Sequence, residues 1–334
     1  LKALPYDFED FELEIIHQTH EGVLAVQGHT ITAGNSGYAT VRARLNQGEV
    51  TINGERHRRV QGVYVASIHV INEATMTHIT TAQELADISK NLSGHFILMN
   101  DIDLYGIDWQ PIGSTEREYI GGGITRGVAF SGMFVNPREF IVDNLTINSS
   151  ENLLMTGIGG LFSRITQAFI YGIILENVFI DVSDASGYIS WAGGIAGWAT
   201  SSIIINCRVE GYIFAQIYAG GIVGADDWGI YINCEFSGIV KANQISNHAL
   251  RSRNSAAGGI VGYLGIWSRL DRNLGIFDSR VNATIIATNF AGGIAGFVLG
   301  DVFPINSTFE GYLYGDNGQG EMFGFSRFQL SQNL

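Results

Sequence analysis

Three lysines, at positions 2, 90 and 241, are all that this chain of 334 residues contains, and charged side chains of either sign make up only 15% of it. With 19 basic against 32 acidic residues the formal net charge is −13. Nothing in that balance favours a grip on nucleic acid, which needs clustered cations. Such acidity suits solubility in a salty exterior, or attraction for cations. No run of 18 apolar residues occurs, so no membrane-spanning helix is expected. A secretory leader is also missing, and the chain begins on Leu1 rather than methionine, as a processed or excised piece would. Sparse charge does not mean disorder here, because 46% of the residues are apolar. Familiar catalytic signatures are missing too: no Gly-x-Ser-x-Gly, His-Glu-x-x-His, Cys-x-x-Cys or P-loop occurs, nor a polygalacturonase-like Asn-Thr-Asp or Gly-His-Gly. The eight histidines are scattered, His17 and His20 being the nearest pair.

What the chain has instead is repetition. Ala192-Gly-Gly-Ile-Ala-Gly197 recurs as Ala219-Gly-Gly-Ile-Val-Gly224, Ala257-Gly-Gly-Ile-Val-Gly262 and Ala291-Gly-Gly-Ile-Ala-Gly296. A fainter copy, Ile158-Gly-Gly-Leu-Phe-Ser163, precedes these cassettes, and Met322-Phe-Gly324 begins another. A second landmark follows each cassette: Ile205-Asn-Cys-Arg-Val-Glu-Gly-Tyr212, Ile232-Asn-Cys-Glu-Phe-Ser-Gly-Ile239, Phe277-Asp-Ser-Arg-Val-Asn-Ala-Thr284 and Ile305-Asn-Ser-Thr-Phe-Glu-Gly-Tyr312. Leu175 to Val182 reads as an earlier copy shifted by one residue. Apolar or small residues alternate with polar ones in each, Ile205, Cys207, Val209, Gly211 and Ile213 on one face against Asn206, Arg208, Glu210 and Tyr212 on the other. Alternation of period two marks a half-buried strand.

A unit this short cannot bury its inner face alone, whereas stacking units about 4.8 Å apart gives one continuous core. The pattern predicts an all-β solenoid, a parallel β-helix, with glycine (43 residues) supplying corners where φ is positive or a side chain would clash. In-register stacking aligns Arg208, Glu235, Arg280 and Thr308, where opposite charges on adjacent rungs attract. It also aligns Asn206, Asn233, Asp278 and Asn306 as a polar ladder at a turn. Cys207 and Cys234 fall at equivalent positions, either bonded or, more simply, two free buried thiols in a file continued by Ser279 and Ser307.

Residues 1–77 read differently, with strands at Glu12–Ile16, Tyr38–Leu45, Glu49–Ile52 and Gly62–Ile71 divided by turns such as Ala33–Gly37 and Asn53-Gly54. They predict a small β-sandwich-like module, loosely Ig-like, with Arg56-His-Arg-Arg59 on an exposed hairpin. Residues 78–334 carry the repeats. Their first element is a helix near 81–90, with a Thr81/Glu84 capping box and Leu85, Ile88 and Leu92 on one face, expected to cover the N-terminal end of the stack.

Asn100-Asp-Ile-Asp-Leu104, Trp109-Gln-Pro-Ile-Gly113, Phe130-Ser-Gly-Met-Phe134, Asn144-Leu-Thr-Ile147 and the Gly-Gly-Ile-x-Gly cassettes resemble the GLUG-motif proteins over roughly residues 79–325. These are bacterial surface and secreted chains, including adhesin-like proteins and the non-catalytic N-terminal region of some IgA-cleaving metallopeptidases. The resemblance implies a right-handed parallel β-helix outside the cell or on its surface, without catalytic residues. It makes Asp101 and Asp103, otherwise a possible Ca²⁺ pair, ordinary turn residues. Val135-Asn-Pro-Arg138 departs from the family's Gly-rich turn.

Two insertions interrupt the spacing, one around Asn243–Arg253 and one between Gly259 and Asp278, and elaborated loops on a rigid stack are where recognition concentrates. Beside them, Trp198, Asp226, Asp227, Trp228 and Trp267 combine aromatic faces with carboxylates, a set suited to sugar rings. The plainer alternative has the aromatics that trail each cassette, Trp198, Tyr263 and Phe297 among them, stacking on one another as an outer ladder. The expected function is a non-catalytic, extracellular, adhesin-like module binding glycan or protein through the 225–275 region. Alternatives are a polysaccharide-active enzyme using paired carboxylates such as Asp226 and Asp227, with Asp181, Asp184 and Asp301 within reach, and a filament subunit self-associating through an uncapped C-terminal end.

Overall fold

Alternating side chains and short glycine-punctuated segments fold almost wholly into strands. The computed structural model describes residues 11–45, 49–52, 55–58, 63–113, 117–120, 124–148, 157–183, 190–243, 255–265, 275–300 and 304–326. Helix among them is confined to one six-residue α-helix and two short 3₁₀ turns. The chain separates into two compact units, Leu1–Thr77 and His78–Leu334.

In the first unit, Phe11–Gln18, Gly37–Leu45 and Val63–Val70 form a three-stranded antiparallel sheet. Leu24–Gln27 with Thr30–Ala33, and Glu49–Ile52 with Glu55–Arg58, form separate hairpins. Val23, Leu24, Ala39, Val41 and Val70 are buried together, with Leu13, Ile15 and Ile68 against them. A polar knot joins two chain reversals: the Ser36 hydroxyl donates to the Asn72 carbonyl (2.9 Å), and the Ser36 amide donates to Thr75 Oγ1 (2.9 Å).

The second unit is all-β with mostly parallel sheets. Its helix, Ala82–Asp87, continues into a 3₁₀ turn at Ile88–Lys90. The capping box is present: the Glu84 amide donates to Thr81 Oγ1 (3.2 Å) and the Thr81 amide to Glu84 Oε2 (3.1 Å). Leu85 and Ile88 are fully buried in the core shared with the repeats, and Leu92 packs against it.

Each of the four repeats beginning at Ile158, Trp191, Tyr218 and Ala256 contributes one strand to each of four sheets, and the flanking repeats contribute to some of them. The longest strands, Ile174–Asp181, Arg208–Ala215, Glu235–Ala242, Arg280–Ala287 and Thr308–Gly315, lie side by side in an eight-stranded sheet. Two six-stranded sheets run from Ile158–Gly159 to Gly318–Gly320 and from Phe162–Thr166 to Phe323–Ser326; they hold the strands before and after the corner of each cassette. A seven-stranded sheet includes Ile203–Ile205 and Ile230–Ile232. Equivalent residues pair rung to rung. The cassette isoleucines form one interior file, each without solvent exposure, with the Ile195 amide donating to the Ile222 carbonyl, Ile222 to Ile260 and Ile260 to Ile294.

The register aligns Arg208 with Glu235, Glu235 with Arg280 and Arg280 with Thr308. Within this file Arg280 bonds Glu235 (3.2 Å), while Arg208 takes its partner from the preceding repeat, Glu176 (2.9 Å). Asn206, Asn233, Asp278 and Asn306 all have φ between 51° and 55°, the left-handed corner that Asn and Asp tolerate best. Asn233 Nδ2 donates to Asn206 Oδ1 (3.0 Å) and Asn306 Nδ2 to Asp278 Oδ1 (3.1 Å). Both thiols are free and buried: Cys207 Sγ lies 3.4 Å from the Ile205 carbonyl, and the Cys234 amide donates to Ser279 Oγ (3.1 Å). Burial pushes the Cys234 thiol up to about 12 and raises Cys207 as well.

One detail differs from the sequence reading and one is decided by the structure. The copy at Leu175–Val182 is not offset by a uniform single residue: Leu175 stands opposite Val209, and a β-bulge between Leu175 and Val178 then brings Val178 opposite Gly211. The bulge adds one residue to that strand, which a simple one-residue offset cannot capture. The glycines of the cassettes serve close approach rather than positive φ. A Cβ on Gly220 would lie 1.9 Å from the Val223 carbonyl oxygen and 2.7 Å from the Gly262 nitrogen, so no larger residue fits.

Candidate functional site

The alternation of strand Val223–Asp227 decides what its carboxylates can do. Asp226 points inward, fully buried in the file of Ala199, Leu264 and Val298, while Asp227 points outward and is half-buried. They therefore form no pair on one surface. The Gly229 amide donates to Asp226 Oδ2 (2.7 Å), and Oδ1 meets no partner among the described residues. The buried Tyr231 hydroxyl stands close enough to perturb this carboxyl but misses hydrogen-bond geometry. Burial raises the Asp226 pKa to about 8.

Trp228 occupies the corner after that strand, half-buried, with φ +67°, a backbone state unusual for so bulky a residue. Trp267, Asp184 and Asp301 lie outside the described residues, as do 244–254 and 266–274, most of the two insertions. Those segments leave different corners, one after Glu235–Ala242 and the other after Val261–Gly265. Asp101 Oδ1 accepts from the Ile141 amide (2.8 Å), and Asp103 Oδ1 from the Tyr105 amide (2.8 Å) and Asn144 Nδ2 (2.9 Å). Among the described residues no three His, Cys, Asp or Glu side chains gather as metal ligands, and no helix is long and apolar enough to cross a membrane.

Trp198 belongs to an aromatic band built from two files. One reads Arg164, Trp198, Ala225, Tyr263, Phe297, Phe325; the other Ile158, Trp191, Tyr218, Ala256, Phe290, Gly318. Where one file has alanine, the other supplies a ring. The Arg164 guanidinium lies 3.9 Å over Trp198, Trp198 meets Trp191 edge-on at 5.0 Å, and Tyr218 stacks on Tyr263 at 4.8 Å. Tyr263 then stacks on Phe297 at 5.8 Å, and Phe297 on Phe325 at 4.6 Å. The faces of these rings are largely taken by each other.

The long-strand sheet presents a different surface, which the sequence reading passed over. A groove of about 680 Å³ crosses its outer face. Gly211, Gly238, Ala283 and Gly311 line it without bulk. Phe179, Tyr212, Thr284 and Tyr312 flank it on one side, and Glu210, Ser237 and Asn282 on the other. Tyr212 and Tyr312 are 48% and 79% exposed, which leaves their rings open to solvent. The signal was available in the Gly–Tyr pair that closes two of the landmarks, Gly211-Tyr212 and Gly311-Tyr312.

No family model matches the chain, and no curated protein matches it significantly. Among solved structures it is similar to a Bacteroides ovatus protein provisionally assigned as an immunoglobulin A1 protease, at 16% identity and a TM-score of 0.38, over 78% of this chain and 87% of that one. It is also similar to a structure named IgA1 protease, at 14% identity and a TM-score of 0.35, over 96% of this chain. The match spans 28% of that second protein's length.

Proposed function

We propose that residues 78–334 form a right-handed parallel β-helix of GLUG type, and that the chain is a non-catalytic, secreted or cell-surface module that binds a glycan or protein ligand. The observation that carries this reading is the groove on the long-strand sheet. A rigid, in-register sheet holds exposed tyrosines and a file of polar groups around a floor of glycine and alanine, a concave arrangement suited to recognition. The inward turn of Asp226 argues against the paired-carboxylate enzyme. Asp227 and Trp228 remain a secondary contact surface, whereas Trp198 is engaged by Arg164 and Trp191.

The test is a glycan and protein array run beside a reducing-sugar assay. Saturable binding without sugar release is the expected result. Release of reducing ends, lost on Asp227→Asn, would make the chain a hydrolase and overturn the non-catalytic reading. The filament alternative has its support in Thr308–Gly315, the last strand of the long-strand sheet among the described residues. Concentration-dependent polymerisation in sedimentation would favour it.

A further inference from the structure

We propose that the groove holds an extended, uncharged glycan lying along the stack, with Tyr212 and Tyr312 as its stacking platforms. This rests on the binding-module reading and narrows it, moving the main contact from the 225–275 loops to the sheet face.

Four observations converge on that ligand class. First, the groove lies on a sheet face, not an edge. Arg208–Ala215, Glu235–Ala242 and Arg280–Ala287 each pair with a strand on both sides, so their backbone groups are already used. An extended peptide binds sheets by adding a strand at a free edge, which this face does not offer. Second, Tyr212 and Tyr312 belong to one file, separated by Ile239 and Thr284. Three rungs put them about 14 Å apart, too far to stack on each other; Tyr212 has Phe179 on its neighbouring rung and Phe214 at 6.4 Å yet keeps about half its surface exposed, while among the described residues Tyr312 meets no other ring. Tyrosine faces at that interval suit the apolar faces of two sugars about three units apart along one chain.

Third, the opposite wall offers one polar group per rung: the Glu210 carboxylate, the Ser237 hydroxyl and the Asn282 amide. Their spacing, about 4.8 Å, is comparable to one sugar unit, and together they both donate and accept. Fourth, no cation lines the groove. On the same outer face Arg208 and Arg280 are tied to Glu176 and Glu235, and Lys241 lies two residues beyond Ile239, outside the lining. A polyanionic chain in the groove would meet the Glu210 carboxylate with no cation in the lining itself, so uronate and sulfated polymers are disfavoured.

The experiment titrates the whole chain with cellohexaose, xylohexaose and mannohexaose, and in parallel with a hexauronate and a lysine-rich peptide, at low and high salt. The expected result is salt-insensitive binding of at least one neutral hexasaccharide. Tyr212→Ala and Tyr312→Ala should each weaken it about tenfold, with the thermal midpoint unchanged. Ser237→Tyr, which fills the groove from its rim, should abolish it.

Neutral-glycan binding that survives all three substitutions but is lost in Trp228→Ala would overturn the groove assignment and leave the binding-module reading intact. Salt-dependent binding of the hexauronate or the peptide, lost on the same tyrosine substitutions, would keep the groove and overturn the uncharged class. Binding of none of these probes, with a silent protein and glycan array, would sink both.

Discussion

Two outer surfaces of the repeat unit carry aromatic residues, and they use them in opposite ways. Beside the cassettes, two complementary files place a ring in every repeat from Trp191 onward, so Trp191, Trp198, Tyr218, Tyr263, Phe297 and Phe325 pack along the structure. On the long-strand sheet the file runs Phe179, Tyr212, Ile239, Thr284, Tyr312: Tyr212 borders Phe179 and Phe214 on one side only, Tyr312 meets no ring among the described residues, and both stay exposed. An aromatic repeated at every rung finds its partner in its own next copy and stabilises the fold. One repeated only now and then has an open face for something else.

The sharpest break of this contrast is Gly220→Val on the cassette side. The added Cβ would sit 1.9 Å from a carbonyl oxygen and leave no room to relax, so a loss of more than about 4 kcal/mol, seen as failure to fold, is expected. Asp226→Leu, matching Leu264 in the same file, should stabilise the chain at pH 8 by replacing a buried carboxyl that keeps a single hydrogen bond, from the Gly229 amide, with an aliphatic side chain. The sign of its pH dependence is fixed. The native state holds the Asp226 proton up to about 8, whereas the unfolded chain releases it near about 4. Stability from this group is therefore greatest in acid and is lost as pH rises through that window, and Asp226→Leu should flatten the slope in urea titrations.

Tyr263→Ala removes a ring stacked on both sides and should lower unfolding free energy by about 2 kcal/mol while leaving ligand binding unchanged. Tyr312→Ala should do the reverse, with stability changed by no more than about 0.5 kcal/mol and binding weakened. The smallest effect belongs to Glu235→Gln. Its pair with Arg280 is largely exposed, so a change within about 0.5 kcal/mol, vanishing at high salt, is expected in chemical denaturation.

The features legible in the sequence were those that repeat. The cassette isoleucines, the Arg208–Glu235–Arg280 file, the Asn206–Asn233 ladder and the Thr81/Glu84 box are each a residue type at a recurring or motif-defined spacing, and spacing survives translation into three dimensions. What escaped was aperiodic or combined two files. The bulge at Asn177 breaks the register locally. Arg208 finds Glu176 because that bulged strand lies next to it. The aromatic band is visible only when two files are read together, since each is interrupted by alanine. The groove is harder still: Tyr212 was visible as an outward residue, but Ile239 and Thr284 take its place in the next two repeats, so no periodic signal marks the file. Adjacency on a strand already argued that Asp226 and Asp227 take opposite faces, but which of the two turns inward was not legible until the strand's phase was known.

Rung-to-rung neighbourhood of equivalent residues underlies every statement about files, band and groove. Ser237 and Asn282 are 45 positions apart in the chain yet directly opposed in the sheet. With Ser237→Cys and Asn282→Cys combined, a short bismaleimide should close an intramolecular cross-link rapidly in native buffer and not in concentrated urea. Equal, slow cross-linking in both conditions would contradict the stacking of repeats on which the account depends.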